Sequence, residues 1–204
     1  MIGMIVDDES RDAITEMINI GVGKAAGLLN EITGSNIQLR VPEIHLIPFR
    51  ELADVNKNIL GTDILSTVMQ EFQGNFSGVT ALVFPPDSAL SLIKLLSGDE
   101  GAGADLDAVQ VETLKEVGNI IINAVMGSIS NVLSEHLVFS LPVYYEGKLS
   151  AIAADRLRGE GDDWVVIART QFLIESMQIE GTILLVLEVG SLERLVESIR
   201  KTNG

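Results

Sequence analysis

Hydrophobic residues recur every three to four positions over residues 8–33 and again over 108–134, which is the period of an amphipathic α-helix. Shorter segments alternate between apolar and polar residues, as Ile37, Leu39 and Val41 do, and this pattern is typical of strands. The remaining elements are predicted as strands at 65–73, 76–84, 137–145, 149–154, 163–173 and 178–189 and short helices at 87–97 and 191–202. We therefore expect an α+β fold with a largely antiparallel sheet and two long helices packed on one side.

Capping residues mark the ends of these segments. Asp8 or Ser10 is predicted to begin the first helix, and Gly34 to end it. Gly74 and Asn75 are predicted to form the turn of a hairpin. A stretch rich in glycine and acidic residues, 97–107, is typical of an exposed connection, and it supplies Asp105 and Asp107 as caps for the second long helix.

The chain contains an internal repeat. The residues that recur 100 positions later are Asp12, Glu16, Asn19 and Pro42, matched by Glu112, Glu116, Asn119 and Pro142. A second similarity is that Gly78 and Gly181 are each followed by a run of apolar and β-branched residues. We expect one domain over 1–204, built from two pseudo-symmetric repeats of about 8–98 and 105–204.

Composition narrows the possible functions. The chain has 14 Lys and Arg against 29 Asp and Glu, so its net charge of −15 argues against nucleic acid or an anionic membrane as a partner. It has no cysteine, and its two histidines, His45 and His136, have no second ligand at metal spacing. We therefore expect no metal or cofactor of its own. The beginning of the sequence lacks the basic region of a signal peptide, so we expect a soluble, cytoplasmic protein.

A polar stripe follows each long helix. At about 100° per residue, Asp12, Glu16 and Asn19 fall on one face, opposite the apolar face, and Gly23 lies on the same stripe. Such a stripe is also what any solvated helix surface presents. Asparagine, however, is a poor helix former, and its recurrence favours a function. Because both asparagines point away from the core on the wheel, we expect alanine there to change stability by about 0.5 kcal/mol or less.

The glycines of the first helix have different expected roles. Gly21 lies towards the apolar side, where the pattern predicts tight packing on the sheet. Gly23 lies on the polar stripe, where the absence of a side chain would allow another backbone to approach.

The spacing Asp12-x3-Glu16-x2-Asn19-x22-Pro42 resembles the signature of the CheC/CheX/FliY family of chemotaxis phosphatases, and the second copy is similar. Two copies in a chain of this length resemble the CheC branch, because FliY proteins carry a further domain. Two positions depart from the signature: Glu112 replaces the usual Asp or Ser, and Ile18 stands where Gly118 is more typical of the family.

The resemblance implies hydrolysis of the aspartyl phosphate of the response regulator CheY. It implies that Asn19 and Asn119 position the attacking water, much as a glutamine does in GTPases. It implies that Glu16 and Glu116 pair with the lysine of the receiver active site, while the receiver supplies its own divalent metal, Mg²⁺. It also implies the receptor deamidase CheD as a partner. The alternative is a non-catalytic binding module that sequesters the phosphorylated receiver or regulates CheD.

Overall fold

The computed structural model describes residues 7–34, 36–41, 44–52, 64–97, 108–148, 151, 163–174, 177–188 and 190–203. The helices are α1 (Asp8–Thr33), α2 (Pro86–Ser97), α3 (Ala108–Val132) and α4 (Ser191–Asn203). The strands are β1 (Ile37–Arg40), β2 (Ile44–Pro48), β3 (Leu65–Gln73), β4 (Gly78–Phe84), β5 (Val138–Phe139), β6 (Val143–Gly147), β7 (Trp164–Ile174) and β8 (Met177–Leu187). Predictions that fall on Pro42, Gly98, Asp105, Asp107 and most of 149–154 lie outside the described residues.

The first helix begins at Asp8, as predicted, but its cap lies one residue before the two positions that the sequence indicated. Asp7 is the N-cap, and its carboxylate accepts a hydrogen bond of 2.8 Å from the Ser10 amide. Ser10 is therefore the donor at this cap, and Asp8 is the first helical residue. The helix ends as predicted at Gly34, whose φ of 69° is a left-handed conformation that glycine adopts without a steric penalty.

The described strands form one antiparallel sheet in the order β1-β7-β8-β4-β3-β5. Strand β2 also pairs with β7, and β6 also pairs with β3. Strands β3 and β4 form one hairpin, and β7 and β8 form another. The two hairpins are joined because β4 pairs with β8, with Gly78 opposite Leu187. Each half of the chain therefore completes the sheet of the other half, because β1 and β2 lie on β7 while β5 and β6 lie on β3.

The main core lies between the helices and one face of the sheet. It combines apolar residues of all four helices with inward residues of the strands, among them Val68, Leu82 and Phe172. The fold-class prediction is confirmed: the fold is α+β, with an antiparallel sheet and both long helices packed on one side.

The long helices are in close contact with each other. A Cβ on Gly21 would lie 2.4 Å from the Cα of Val125 and 2.9 Å from the carbonyl oxygen of Ala124. Gly21 is therefore tightly packed, as predicted, but against α3 rather than against the sheet. Gly118 is the glycine that packs on the sheet, since a Cβ there would lie within 2.7 Å of the side chain of Val68.

The order of elements repeats along the chain. Among the described residues, a helix, four strands and a helix occur from α1 to α2 and again from α3 to α4, and the first half has in addition a short 3-10 helix at Phe49–Glu51. From the repeat we also predict that residues 10–50 and 110–150 superpose by a rotation near two-fold, and this remains a prediction, as does a single domain over 1–204. Within the described ranges, no helix is both long enough and apolar enough to cross a membrane.

Candidate functional site

The two glutamates of the repeated pattern are exposed. Glu16 lies on α1 and Glu116 on α3, each one turn before the asparagine of its copy. Within the part of the chain that the structure describes, neither carboxylate has a hydrogen bond or an ion pair. Each helix therefore presents to the solvent a carboxylate that no described residue pairs.

Asn19 is half-buried and holds the chain that follows β1. Its Nδ2 donates to the carbonyl oxygen of Val41 at 3.2 Å, and its Oδ1 accepts from the amide of Val41 at 3.1 Å. The side-chain amide thus pairs with the backbone of Val41 as a neighbouring strand would. The expectation that truncation of this residue leaves stability unchanged is therefore wrong for Asn19, because two partly buried hydrogen bonds depend on it.

Asn119 has different partners. Its Oδ1 accepts from Nε2 of Gln70 at 3.2 Å and from Nδ2 of Asn123, one turn later on α3, at 2.7 Å. Nε2 of Gln70 also donates to the carbonyl oxygen of Ser140 at 2.9 Å. The second asparagine therefore reaches the chain after its helix through Gln70 rather than directly.

Gln70 is a member of this site that the repeat did not reveal. It lies on β3 and is buried, and its Oε1 has no hydrogen-bond partner among the described residues. The signal in the sequence is weak: Gln70 is a polar residue between Val68 and Phe72, the apolar residues two positions away on the same face of the strand. Its partners lie 49 and 70 residues away along the chain, so spacing alone does not connect them.

The first position of the pattern differs between the copies in its environment as well as in its residue type. Asp12 is exposed, and the structure gives it no partner in the described ranges. Glu112 forms an ion pair with Lys115 at 2.8 Å. Pro142 is half-buried just before β6, whereas its counterpart Pro42 lies outside the described residues.

Apolar surface adjoins both glutamate–asparagine pairs. Glu16 borders a groove of about 270 Å³ whose other lining residues are apolar, namely Ala13, Met17, Ile20, Val132, Leu133 and Ile199. Ile20 follows Asn19 directly and is 42% exposed. In the second half, Leu141 follows the Ser140 carbonyl that Gln70 binds, and it is 84% exposed.

No group of three or more histidine, aspartate or glutamate side chains that could hold a metal ion occurs among the described residues. His45 lies on β2, and His136 is exposed in the connection after α3. The chemistry available at the two pairs is therefore that of amides and carboxylates: donating to and accepting from water, and pairing with a cation.

Comparison with known proteins identifies related sequences and folds. Residues 66–161, which include Glu116 and Asn119, match the family described as chemotaxis phosphatase CheX. The chain is 28% identical over 142 residues to the flagellar motor switch phosphatase FliY of Bacillus subtilis, covering 67% of this chain and 36% of FliY. It is 24% identical over 158 residues to the CheY-P phosphatase CheC of the same organism, covering 74% of this chain and 73% of CheC.

The fold also has a solved counterpart. The crystal structure of Thermotoga maritima FliY matches with a TM-score of 0.78 and 20% identity, over 98% of this chain and 100% of that chain. The chain spans about a third of the length of the B. subtilis FliY that it matches and about three quarters of CheC. The family match and the two relatives thus agree that this chain is similar to proteins of the CheC/CheX/FliY family, and the solved structure shows that it shares their fold.

Proposed function

We propose that this protein hydrolyses the aspartyl phosphate of a CheY-type response regulator at two sites, one on each long helix. Glu16 and Asn19 form the first site, and Glu116 and Asn119 form the second. The observation that carries the proposal is that, in both halves of the chain, an exposed glutamate without a partner among the described residues stands one turn before a hydrogen-bonded asparagine. Relatives named as phosphatases of CheY-P and of the flagellar switch support it.

The glutamates serve to dock the receiver. A carboxylate without a partner favours a cation on the partner surface, such as an active-site lysine. The apolar groove beside Glu16 adds apolar contact next to that charge, and the exposed Leu141 offers apolar surface beside the Ser140 carbonyl that Gln70 binds. The net charge of −15 steers a partner that approaches with its basic face.

The asparagines serve to position water. In the reaction, a water oxygen forms a bond to phosphorus while the bond between phosphorus and the aspartyl oxygen breaks, which gives inorganic phosphate and a free carboxylate. A divalent metal ion bound by the receiver, Mg²⁺, neutralises charge on the phosphoryl oxygens. An amide side chain orients the water without competing as a nucleophile, and its position on a packed helix keeps that orientation fixed.

A kinetic experiment tests the proposal. The receiver is phosphorylated with a labelled small phosphodonor, the donor is removed, and release of phosphate is followed with this protein at a hundredth of the receiver concentration. Multiple turnovers per protein molecule are expected. Decay at the intrinsic rate of the receiver, in the presence of folded protein, would contradict the proposal.

A non-catalytic binding module is the second candidate, and the Asn19–Val41 pair favours it. Holding the backbone after β1 is by itself a sufficient reason for an asparagine at this position. In this version the acidic, partly apolar surface sequesters the phosphorylated receiver or binds CheD. Phosphate would then be protected in proportion to the amount of protein added, whereas an enzyme accelerates its loss at catalytic amounts.

A further inference from the structure

The two asparagines differ in the hydrogen-bonding groups that they leave available. A side-chain amide has two N–H donors and an oxygen with two lone pairs. Asn19 uses one donor and one lone pair on Val41, so in the described part of the chain one of each remains. Asn119 uses both lone pairs, on Gln70 and Asn123, and in the described part of the chain its two N–H donors have no partner.

We infer that the two sites are chemically unequal and that Gln70 and Asn123 are the positioning residues that make them so. This inference rests on the proposed function. A water held for attack on phosphorus is oriented best when one group accepts its proton and another donates to its oxygen. Asn19 offers both groups, whereas Asn119 offers only donors, because its oxygen is saturated by two neighbours.

The difference arises from a single position on the repeated helix. Asn123 lies one turn after Asn119, and its counterpart one turn after Asn19 is Gly23. A Cβ on Gly23 would have no atom within 4 Å, so nothing fills this position beside Asn19. The bond of 2.7 Å from Asn123 to Asn119 therefore has no equivalent in the first half.

The structure thus assigns most of the turnover to the site on α1. The second site retains its exposed glutamate and two outward N–H groups, which suit the binding of phosphoryl oxygens more than the orientation of a nucleophilic water. It is expected to bind the phosphorylated receiver well and to turn it over slowly.

Variants with one intact site test this assignment. Asn119→Ala leaves the first site and Asn19→Ala leaves the second, and kcat and KM for the phosphorylated receiver are measured for both. The variant with only the first site is expected to keep more than half of the wild-type kcat, and the variant with only the second to keep less than a tenth. Adding Asn123→Ala to Asn19→Ala releases one lone pair of Asn119 and is expected to raise kcat at least threefold with KM unchanged.

Gly127→Ala, added to Asn19→Ala, is the matched control, because it alters open space one turn after Asn123 on the same helix without touching Asn119; its kcat is expected to stay the same. Equal kcat for the two single-site variants, or no rise with Asn123→Ala, would overturn the inference. A wild-type protein that fails to turn over the receiver would instead overturn the proposed function. A change in KM alone would assign Asn123 to binding and would also contradict the inference.

Discussion

Asn19 and Val41 are joined by two hydrogen bonds, of 3.2 and 3.1 Å, between one side-chain amide and the two polar groups of one backbone residue. The pair connects the middle of α1 to the chain that leaves β1, 22 residues further along. It gives the asparagine a structural role beside the proposed catalytic one, and the two roles have separate experimental consequences.

Asn19→Ala is expected to destabilise the protein more than Asn119→Ala. Each lost bond at Val41 lowers the free energy of unfolding by about 0.5–1.5 kcal/mol, and the better helix propensity of alanine offsets at most about 0.7 kcal/mol of this loss. The net loss of about 0.5–2 kcal/mol is measured by urea unfolding. Asn119→Ala also removes two bonds, but one of them is to Asn123, a half-buried side chain that can turn to solvent, and Gln70 keeps its bond to the Ser140 carbonyl, so the loss is smaller. Equal free energies of unfolding for the two variants would contradict a structural role specific to Asn19.

Alanine at Gly21 and at Gly23 is expected to have opposite effects. At Gly21 the new Cβ would meet the backbone of Val125 at 2.4 Å, so the helices must separate, which costs about 1–3 kcal/mol. At Gly23 there is open space, and alanine raises helix stability by about 0.5–1 kcal/mol. Both substitutions add one methyl group to the same helix two residues apart, so each is the control for the other in thermal unfolding. A destabilised Gly23→Ala would show that this surface is in contact with something else.

The cap of α1 is expected to lose its stabilising effect in acid. Hydrogen bonds from Ser10, together with Arg200 at 2.8 Å, lower the pKa of Asp7 from 3.8 to about 2. A carboxyl group whose pKa is lowered by folding stabilises the protein above its unfolded pKa, and this stabilisation is lost as the pH falls from about 4 to about 2. The difference in the free energy of unfolding between wild type and Asp7→Asn should therefore shrink over that range.

Arg200→Gln separates the two causes of this shift. It removes the ion pair but leaves the bond from Ser10, which is the larger cause, so most of the pH dependence should remain. If Arg200→Gln abolished the pH dependence altogether, the ion pair rather than the cap would be responsible.

The sequence predicted the elements well because their periodicities are strong and their ends carry capping residues. Asp8–Thr33 matches the predicted span of 8–33, and Gly34 ends it as expected. What periodicity does not contain is which atoms meet across the fold. The wheel placed Asn19 opposite the core, yet its amide is bonded to Val41, because a chain segment distant in sequence passes along that side of the helix.

The same limit explains Gly21 and Gln70. The wheel assigned Gly21 correctly to a packed face, but the partner is α3, and two helices contribute to that contact only after both have folded onto the sheet. The role of Gln70 is not visible in the sequence for a similar reason: its bond to Asn119 depends on the packing of α3 on β3, and its bond to Ser140 on the pairing of β3 with β5. The roles of Glu16, Asn19, Glu116 and Asn119 in catalysis remain predictions.

Substitution of the glutamates is expected to weaken receiver binding at low salt. Glu16→Gln and Glu116→Gln each remove one exposed ion pair of about 0.2–1 kcal/mol, which corresponds to a KM increase of about 1.5- to 5-fold per site. Ion pairs between exposed groups are screened as salt rises, since the Debye length falls from about 10 Å at 0.1 M to 3 Å at 1 M. The KM values of wild type and the double variant should therefore converge at high salt.

Glu31→Gln is a matched control for this experiment. Glu31 is exposed on the same helix, and 15 residues at 1.5 Å each place it about 22 Å from Glu16 along the helix axis. The substitution Glu31→Gln removes one negative charge, as Glu16→Gln does, without altering a proposed docking contact. If Glu31→Gln and Glu16→Gln changed KM equally, net charge rather than a local pair would account for the effect.

The double variant Asn19→Ala/Asn119→Ala is expected to lose turnover while it remains folded. Removal of the water-positioning amide from both sites should lower kcat by about 100-fold or more, because a misplaced nucleophile loses most of the advantage of a fixed geometry. A water held for attack contributes in the transition state, so the loss should persist at saturating receiver. The assay is run well below the lowered melting temperature that the loss of the Val41 bonds predicts, with circular dichroism to confirm the folded state. Binding of the phosphorylated receiver should persist, since Glu16 and Glu116 are unchanged. A folded double variant with the wild-type kcat would exclude the asparagines from catalysis and leave their hydrogen bonds to Val41 and Gln70 as the reason for their recurrence.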